Sequence, residues 1–185
     1  MTHSESHLHE VFTFWFEELT PEDWFAGGEE LDATIRERFQ ELHTQVAANE
    51  FWRLRSDARM LLAEVIALDQ FSRQIYRDQG QAFAYDGHAL ALAQQAIEMG
   101  YAADYTNVEK QFLYMPFMHS ESPAVHVDAL LLFETLGNEE ALKFEHIHKD
   151  IIDQFGRYPH RNEVLGRKST PEEEVYLANN QEAFF

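Results

Sequence analysis

Apolar residues recur every three or four positions along almost the whole chain, and no run alternates convincingly with a period of two. That spacing puts one apolar stripe on an α-helix and cannot serve a half-buried strand. Val11, Trp15 and Leu19 share a face that Phe12 and Phe16 widen, and Leu31, Ile35, Phe39, Leu42 and Val46 form a second stripe. Leu61, Leu62, Val65, Ile66 and Leu68 are apolar almost all round, which predicts a central buried helix opened by Ser56. Asp86 caps a helix ending at Gly100, and Thr106 with Glu109 makes a capping box. Ser122-Pro123 opens a helix that stops at Gly137, Asn138 caps one that runs to Gly156, and Thr170 with Glu173 repeats the capping box. The expected fold is all-α, with seven or eight helices in antiparallel pairs.

No linker divides the 185 residues, so residues 1–185 read as one domain, with residues 1–9 as a mobile N-terminus. Short turns between helix pairs suggest a tetratricopeptide-like array, although no 34-residue internal repeat is visible. Fifteen Phe, seven Tyr and three Trp can fill a large core without disulfides or metal. The absence of Cys excludes thiolate catalysis and Cys-based metal centres and favours a reducing compartment. No stretch approaches the roughly 20 apolar residues of a membrane helix. The opening MTHSESHLHE lacks the basic and then apolar order of a signal peptide, so the expected location is the cytoplasm.

Charge is unevenly spread. The formal net charge of −19 opposes non-specific nucleic-acid binding, and the aromatics follow core spacing rather than interleaving with basic residues. Yet residues 53–77 and 143–168, about a quarter of the chain, hold 11 of the 14 Lys and Arg. Segregated arginines in an acidic background can build a local anion site.

Three segments carry the chemically able side chains. In LDQFSRQIYRD, a continuous helix would put Asp69, Arg73 and Arg77 on one face, an acid holding two guanidinium groups for a carboxylate or phosphate. In YMPFMHSES, Pro116 should bend or end the helix and leave His119, Ser120 and Glu121 on a turn. A histidine there is an acid–base candidate or a hydrogen-bonded structural group. The densest segment runs from His146 to Glu173, with Arg157, His160, Arg161, Asn162 and Arg167 in an irregular stretch after Gly156. It reads either as an anion-binding loop or as arginines pinning helix ends and carboxylates.

Sharper signals fail. His146 and His148 diverge by about 200° on a helix, so they are no metal pair; no metal or other cofactor is expected. GRKST lacks the glycine spacing of a phosphate-binding loop, and no GxSxG occurs.

Taken together, LDQFSRQIYR with the following AFAYD, YMPFMHSE, FGRYPHRNEVLGRKSTPEE, the opening FWF and Trp24-Phe25 resemble a bacterial family known as domain of unknown function 924. That resemblance implies a tetratricopeptide-like helical fold and no established activity. Its polar motif positions correspond here to Asp69, Gln70, Arg73, Arg77, His119, Ser120, Glu121, Arg157, His160, Arg161, Asn162 and Arg167. Ser72 stands where a Pro is expected, and His126 where a Gln is expected.

The leading expectation is a pocket binding an anionic small molecule, with hydrolase or transferase chemistry. Asp69, Gln70, Arg73, Arg77, Arg157, Arg161, Asn162 and Arg167 would bind the ligand. His119 and His160 would move protons, with Glu121 or Asp69 orienting them. The rival is a tetratricopeptide-like peptide-binding module in which the same cluster is a structural network.

Overall fold

The structure is a computed structural model and describes residues 3–180. Every regular element among them is helical. The chain runs through α1 (His3–Thr13), α2 (Pro21–Ala26), α3 (Glu29–Ala47), α4 (Ala58–Ile66), α5 (Ser72–Ile75), α6 (Asp86–Glu98), α7 (Asn107–Met118), α8 (Pro123–Thr135), α9 (Glu139–Phe155) and α10 (Pro171–Asn179). The eight longer elements match the number expected from sequence; α2 is a short addition and α5 continues α4. No helix among the described residues is long and apolar enough to cross a membrane.

The array follows from the apolar stripes. α4, with seven of its nine residues buried, lies at the centre and packs against α1, α6 and α7. α3 lies on the α5 side, and α7, α8 and α9 extend the array as successive packed neighbours. Trp15, in the π-helical turn Phe14–Glu18 that follows α1, joins Phe39, Phe71 and Phe112, all almost fully buried, in one core with α3, α4–α5 and α7. Such side chains supply about 1.5–3 kcal/mol each on burial, which is why the fold dispenses with covalent staples.

Several boundaries follow their capping chemistry. The capping boxes at Thr106–Glu109 and Thr170–Glu173 are both formed, and Asn138 caps α9. Two expected caps move by one residue. Asp57 rather than Ser56 caps α4, because its carboxylate accepts from the Arg59 and Met60 N–H groups. Tyr85 precedes α6, leaving Asp86 inside the first turn with its carboxylate free for other partners. Pro116 sits within α7, which continues to Met118 before His119 closes it. Of residues 1–9, expected to be mobile, Met1 and Thr2 lie outside the described residues, whereas His3 onward belong to α1 and Leu8 is fully buried.

One irregularity bears on function. Between α4 and α5, residues Ala67–Phe71 form a π-helical turn, and all five are buried. The extra residue per turn rotates Asp69 and Gln70 relative to the regular helix; π turns of this kind recur at functional sites.

Candidate functional site

Asp69 projects from the π turn into the space below the end of α7. Its carboxylate is 1% exposed, with Oδ1 2.8 Å from His119 Nδ1 and Oδ2 accepting from Gln70 Nε2 at 2.7 Å. Arg73 donates to the Asp69 carbonyl and also stands 3.5 Å from Oδ1, so imidazole and guanidinium meet on one oxygen. Burial alone would raise the Asp69 pKa, but the charges of His119 and Arg73 and two side-chain hydrogen bonds hold it below the usual carboxylate range. Burial, reinforced by Arg73, pushes His119 down against the pull of Asp69. At neutral pH the pair is therefore an ionised carboxylate and a neutral imidazole. A carboxylate on Nδ1 requires the proton there, which leaves Nε2 as the lone-pair nitrogen. Nε2 makes no hydrogen bond among the described residues, and the side chain keeps 12% exposure.

Two arginines converge on Asp86, at the start of α6. Arg73 holds it with both terminal nitrogens at 3.1 and 3.2 Å, and Arg161 reaches Oδ2 from the C-terminal segment at 3.0 Å. Phe83 lies beneath both guanidinium groups, 5.6 Å from Arg73 and 4.4 Å from Arg161, and Tyr158 covers Arg161 at 4.5 Å. Gly80, three residues before Phe83, lets the chain pass close to the Val164 carbonyl, which a Cβ there would meet at 2.7 Å. Arg161 is 5% exposed, and its buried Nε has no partner among the described residues.

The remaining arginines are engaged elsewhere. Arg167 forms a two-pronged pair with Glu121 at 2.7 and 2.9 Å and donates to Asn162 Oδ1 and the Tyr158 carbonyl. Arg157 grips Glu173 at 2.6 and 2.8 Å and donates to the Lys168 carbonyl. Asn162 joins the two pairs by donating to Glu173 and Ser169. Four guanidinium groups thus face four carboxylates, Asp69, Asp86, Glu121 and Glu173.

The chain matches the model of a bacterial protein family of unknown function, DUF924, over residues 11–181. It belongs to the DUF924 family. Among solved structures, a protein of unknown function from Agrobacterium tumefaciens, ATU0120, is 32% identical, with a TM-score of 0.90 over 95% of this chain and 99% of that one. No curated protein matches the chain.

In this DUF924 member the structure separates residues that the sequence grouped. Asp69, Gln70, Arg73, His119 and Arg161 meet in one cluster. Arg77 does not: α5 ends at Ile75, and Arg77 turns to Asp32 in the first turn of α3. Glu121 serves Arg167 and the Tyr158 N–H rather than His119. His160 sits on the turn Pro159–Arg161 beside the Tyr158 ring, where burial and the Arg161 charge push its pKa to about 3. A nitrogen held so far down stays unprotonated at neutral pH, which weakens His160 as a proton carrier. His126 faces no cleft; it is fully buried against Glu145. Ser72, in place of the expected Pro, donates to the Leu68 carbonyl at 2.6 Å and meets His43 Nε2 at 2.8 Å. No group of three metal-ligating side chains occurs among the described residues.

Asp86 and Phe83 were missed as site residues. The signal lay in AFAYD, the motif immediately after the first basic segment, where Asp86 read only as a helix cap. Glu173 likewise read as a capping residue, although it also receives Arg157.

Proposed function

We propose that His119, Asp69 and Arg73 form an acid–base centre for a small anionic molecule, with hydrolase or transferase chemistry. The observation that carries this reading is the imidazole itself: Nδ1 is held by a buried carboxylate that also receives the Arg73 guanidinium, while Nε2 retains a lone pair on a side chain that is still partly exposed. In that geometry Nε2 accepts a proton from water or a hydroxyl as it attacks, Asp69 stabilises the imidazolium, and the partly exposed Arg73 offsets negative charge on the substrate. The π turn that holds Asp69 and the buried unpaired Nε of Arg161 support the reading. We assign the activity to the cytoplasm on the cysteine-free composition, which cell fractionation tests.

The test is a thermal-shift screen of phosphate, phosphorylated metabolites and carboxylates, followed by turnover assays on esters and phosphoesters of any class that binds. A ligand at 100 times its Kd adds about 2.7 kcal/mol. The shift should shrink in Arg73→Gln, and turnover should fall by about 10²-fold or more in His119→Gln, a typical contribution of a positioned acid–base group. Absence of any shift, with both variants strongly destabilised, would refute the site.

A second reading has its own support. The two-pronged pairs Arg157–Glu173 and Arg167–Glu121 use their guanidinium groups internally, so that part of the cluster reads as a structural network fastening the C-terminal segment within a helical array. On this reading Arg167→Gln destabilises the fold without altering any ligand response.

A further inference from the structure

A helix leaves its last carbonyls without backbone donors. At the end of α7, three consecutive carbonyls instead receive side chains from elsewhere in the fold. The Tyr158 hydroxyl donates to Met118, Arg161 Nη2 donates to His119 at 3.0 Å, and His126 Nε2 lies 2.9 Å from the Ser120 carbonyl. The middle carbonyl belongs to the acid–base candidate.

The third contact fixes where a proton must be. A carbonyl only accepts, so His126 Nε2 must carry hydrogen. The Tyr158 hydroxyl, 3.2 Å from the same nitrogen, has already given its proton to Met118. On the other side of the ring, Nδ1 is 2.8 Å from Glu145 Oε1, and both side chains are 0% exposed. Two lone pairs cannot face each other at that distance without water. One proton therefore lies between Nδ1 and Oε1, either on an imidazolium beside a carboxylate or on a carboxylic acid beside a neutral ring. Burial raises the Glu145 pKa against the pull of His126, and Oε2 is buried with no partner among the described residues. A bare carboxylate oxygen there is costly, so the neutral acid is the better description. The other titratable and charged groups around the pair are His119 just after α7, His146 and His148 on α9, and Tyr158 and Arg161 in the C-terminal segment.

We propose that His126 and Glu145 are a buried proton-sharing pair that positions His119, by keeping His126 in the tautomer that clamps the end of α7. The role of the pair rests on the reading of His119 as an acid–base group. Glu145 fixes the His126 tautomer, His126 fixes the Ser120 carbonyl, and with Tyr158 and Arg161 this sets how the His119 ring meets Asp69. Both are positioning residues, since neither reaches His119 Nε2.

The test is long-range proton–nitrogen NMR of histidine-labelled protein, which reports the tautomer and titration midpoint of each ring without a ligand. In wild type, His126 Nε2 should be protonated throughout pH 6–8. His126→Gln, which keeps a donor for Ser120, should leave the His119 tautomer and midpoint unchanged. His126→Leu and Glu145→Leu should move the His119 midpoint toward the free value of about 6.5 by at least ~0.5 pH unit. A lone pair on His126 Nε2 in wild type would overturn the proposal. So would a folded His126→Leu protein with an unmoved His119 midpoint, or a His126→Gln protein with a displaced one. If neither leucine variant folds, the wild-type tautomer and the glutamine rescue decide. A failed ligand screen would leave these results intact, and a failed clamp would leave the His119–Asp69 geometry intact.

Discussion

Asp86 carries more of the site than its place in the chain suggests. Its carboxylate is 13% exposed and compensates two guanidinium groups, one of them on a residue 75 positions away. Removing one partner from a buried ion pair leaves an uncompensated charge, at about 3–5 kcal/mol. Asp86→Ala should therefore lower stability by that order in urea titration. Lys149→Ala, which removes an i,i+4 pair whose Asp153 is half exposed, should cost under about 1 kcal/mol. Equal losses in the two variants would show that the Asp86 cluster is solvated rather than buried. The arginines were legible because they crowd into two short stretches of an otherwise acidic chain. Glu121 was legible as a site carboxylate, though not its pairing with Arg167, whereas Asp86 and Glu173 read only as capping residues and reach their arginines through tertiary folding. Arg77 shows the opposite error: its i, i+8 spacing from Asp69 promised a shared face, but the helix ends at Ile75, two residues too soon.

At the scale of elements, spacing and capping chemistry located the helices well, since both are written within a few residues. The end of α9 shows why. Gly156 has φ 68°, in the left-handed region that a side chain disfavours, and its N–H bonds the Ile152 carbonyl. Gly156→Ala should cost about 1–2 kcal/mol by thermal or urea unfolding while leaving the helical circular-dichroism signal nearly unchanged. An unaffected midpoint would mean that the turn relaxes freely. The π turn at Ala67–Phe71 escaped notice because one inserted residue barely disturbs an apolar run buried on every side. Ser72 shows how the chain accommodates it: the hydroxyl takes up the Leu68 carbonyl and also engages His43. Ser72→Ala leaves buried polar groups without partners and should cost about 1–3 kcal/mol in the same titration.

The whole molecule combines a strongly acidic surface with histidines buried in neutral form. Burial lowers His43 and His148 to about 4, and burial with the Arg161 charge lowers His160 to about 3. A histidine depressed in the folded state contributes fully above its unfolded value of about 6.5 and loses that contribution as pH falls toward the folded value. Each adds at most about 1.4 kcal/mol of destabilisation per pH unit over that window. Glu173, held to about 2 chiefly by its hydrogen bonds with Arg157, behaves as a depressed acid, and its contribution fades only below the usual glutamate value. The urea midpoint should therefore begin to fall near pH 6.5, before the carboxylates protonate; a flat profile down to pH 5 would contradict the buried neutral rings. At pH 7 the net charge of −19 opposes compaction, so raising salt from tens to hundreds of millimolar should raise the melting temperature. Among the described residues the C-terminal segment joins α9 through a small apolar cluster, Ile151, Ile152 and Tyr158 with Phe155 and Tyr176 packed against it, and is fastened further by charged pairs. Such a segment should detach as a unit, with amides from Tyr158 to Leu177 sharing one hydrogen-exchange opening free energy below that of α4. A ligand that grips Arg161 would then slow exchange along α10, which meets the cluster through Glu173.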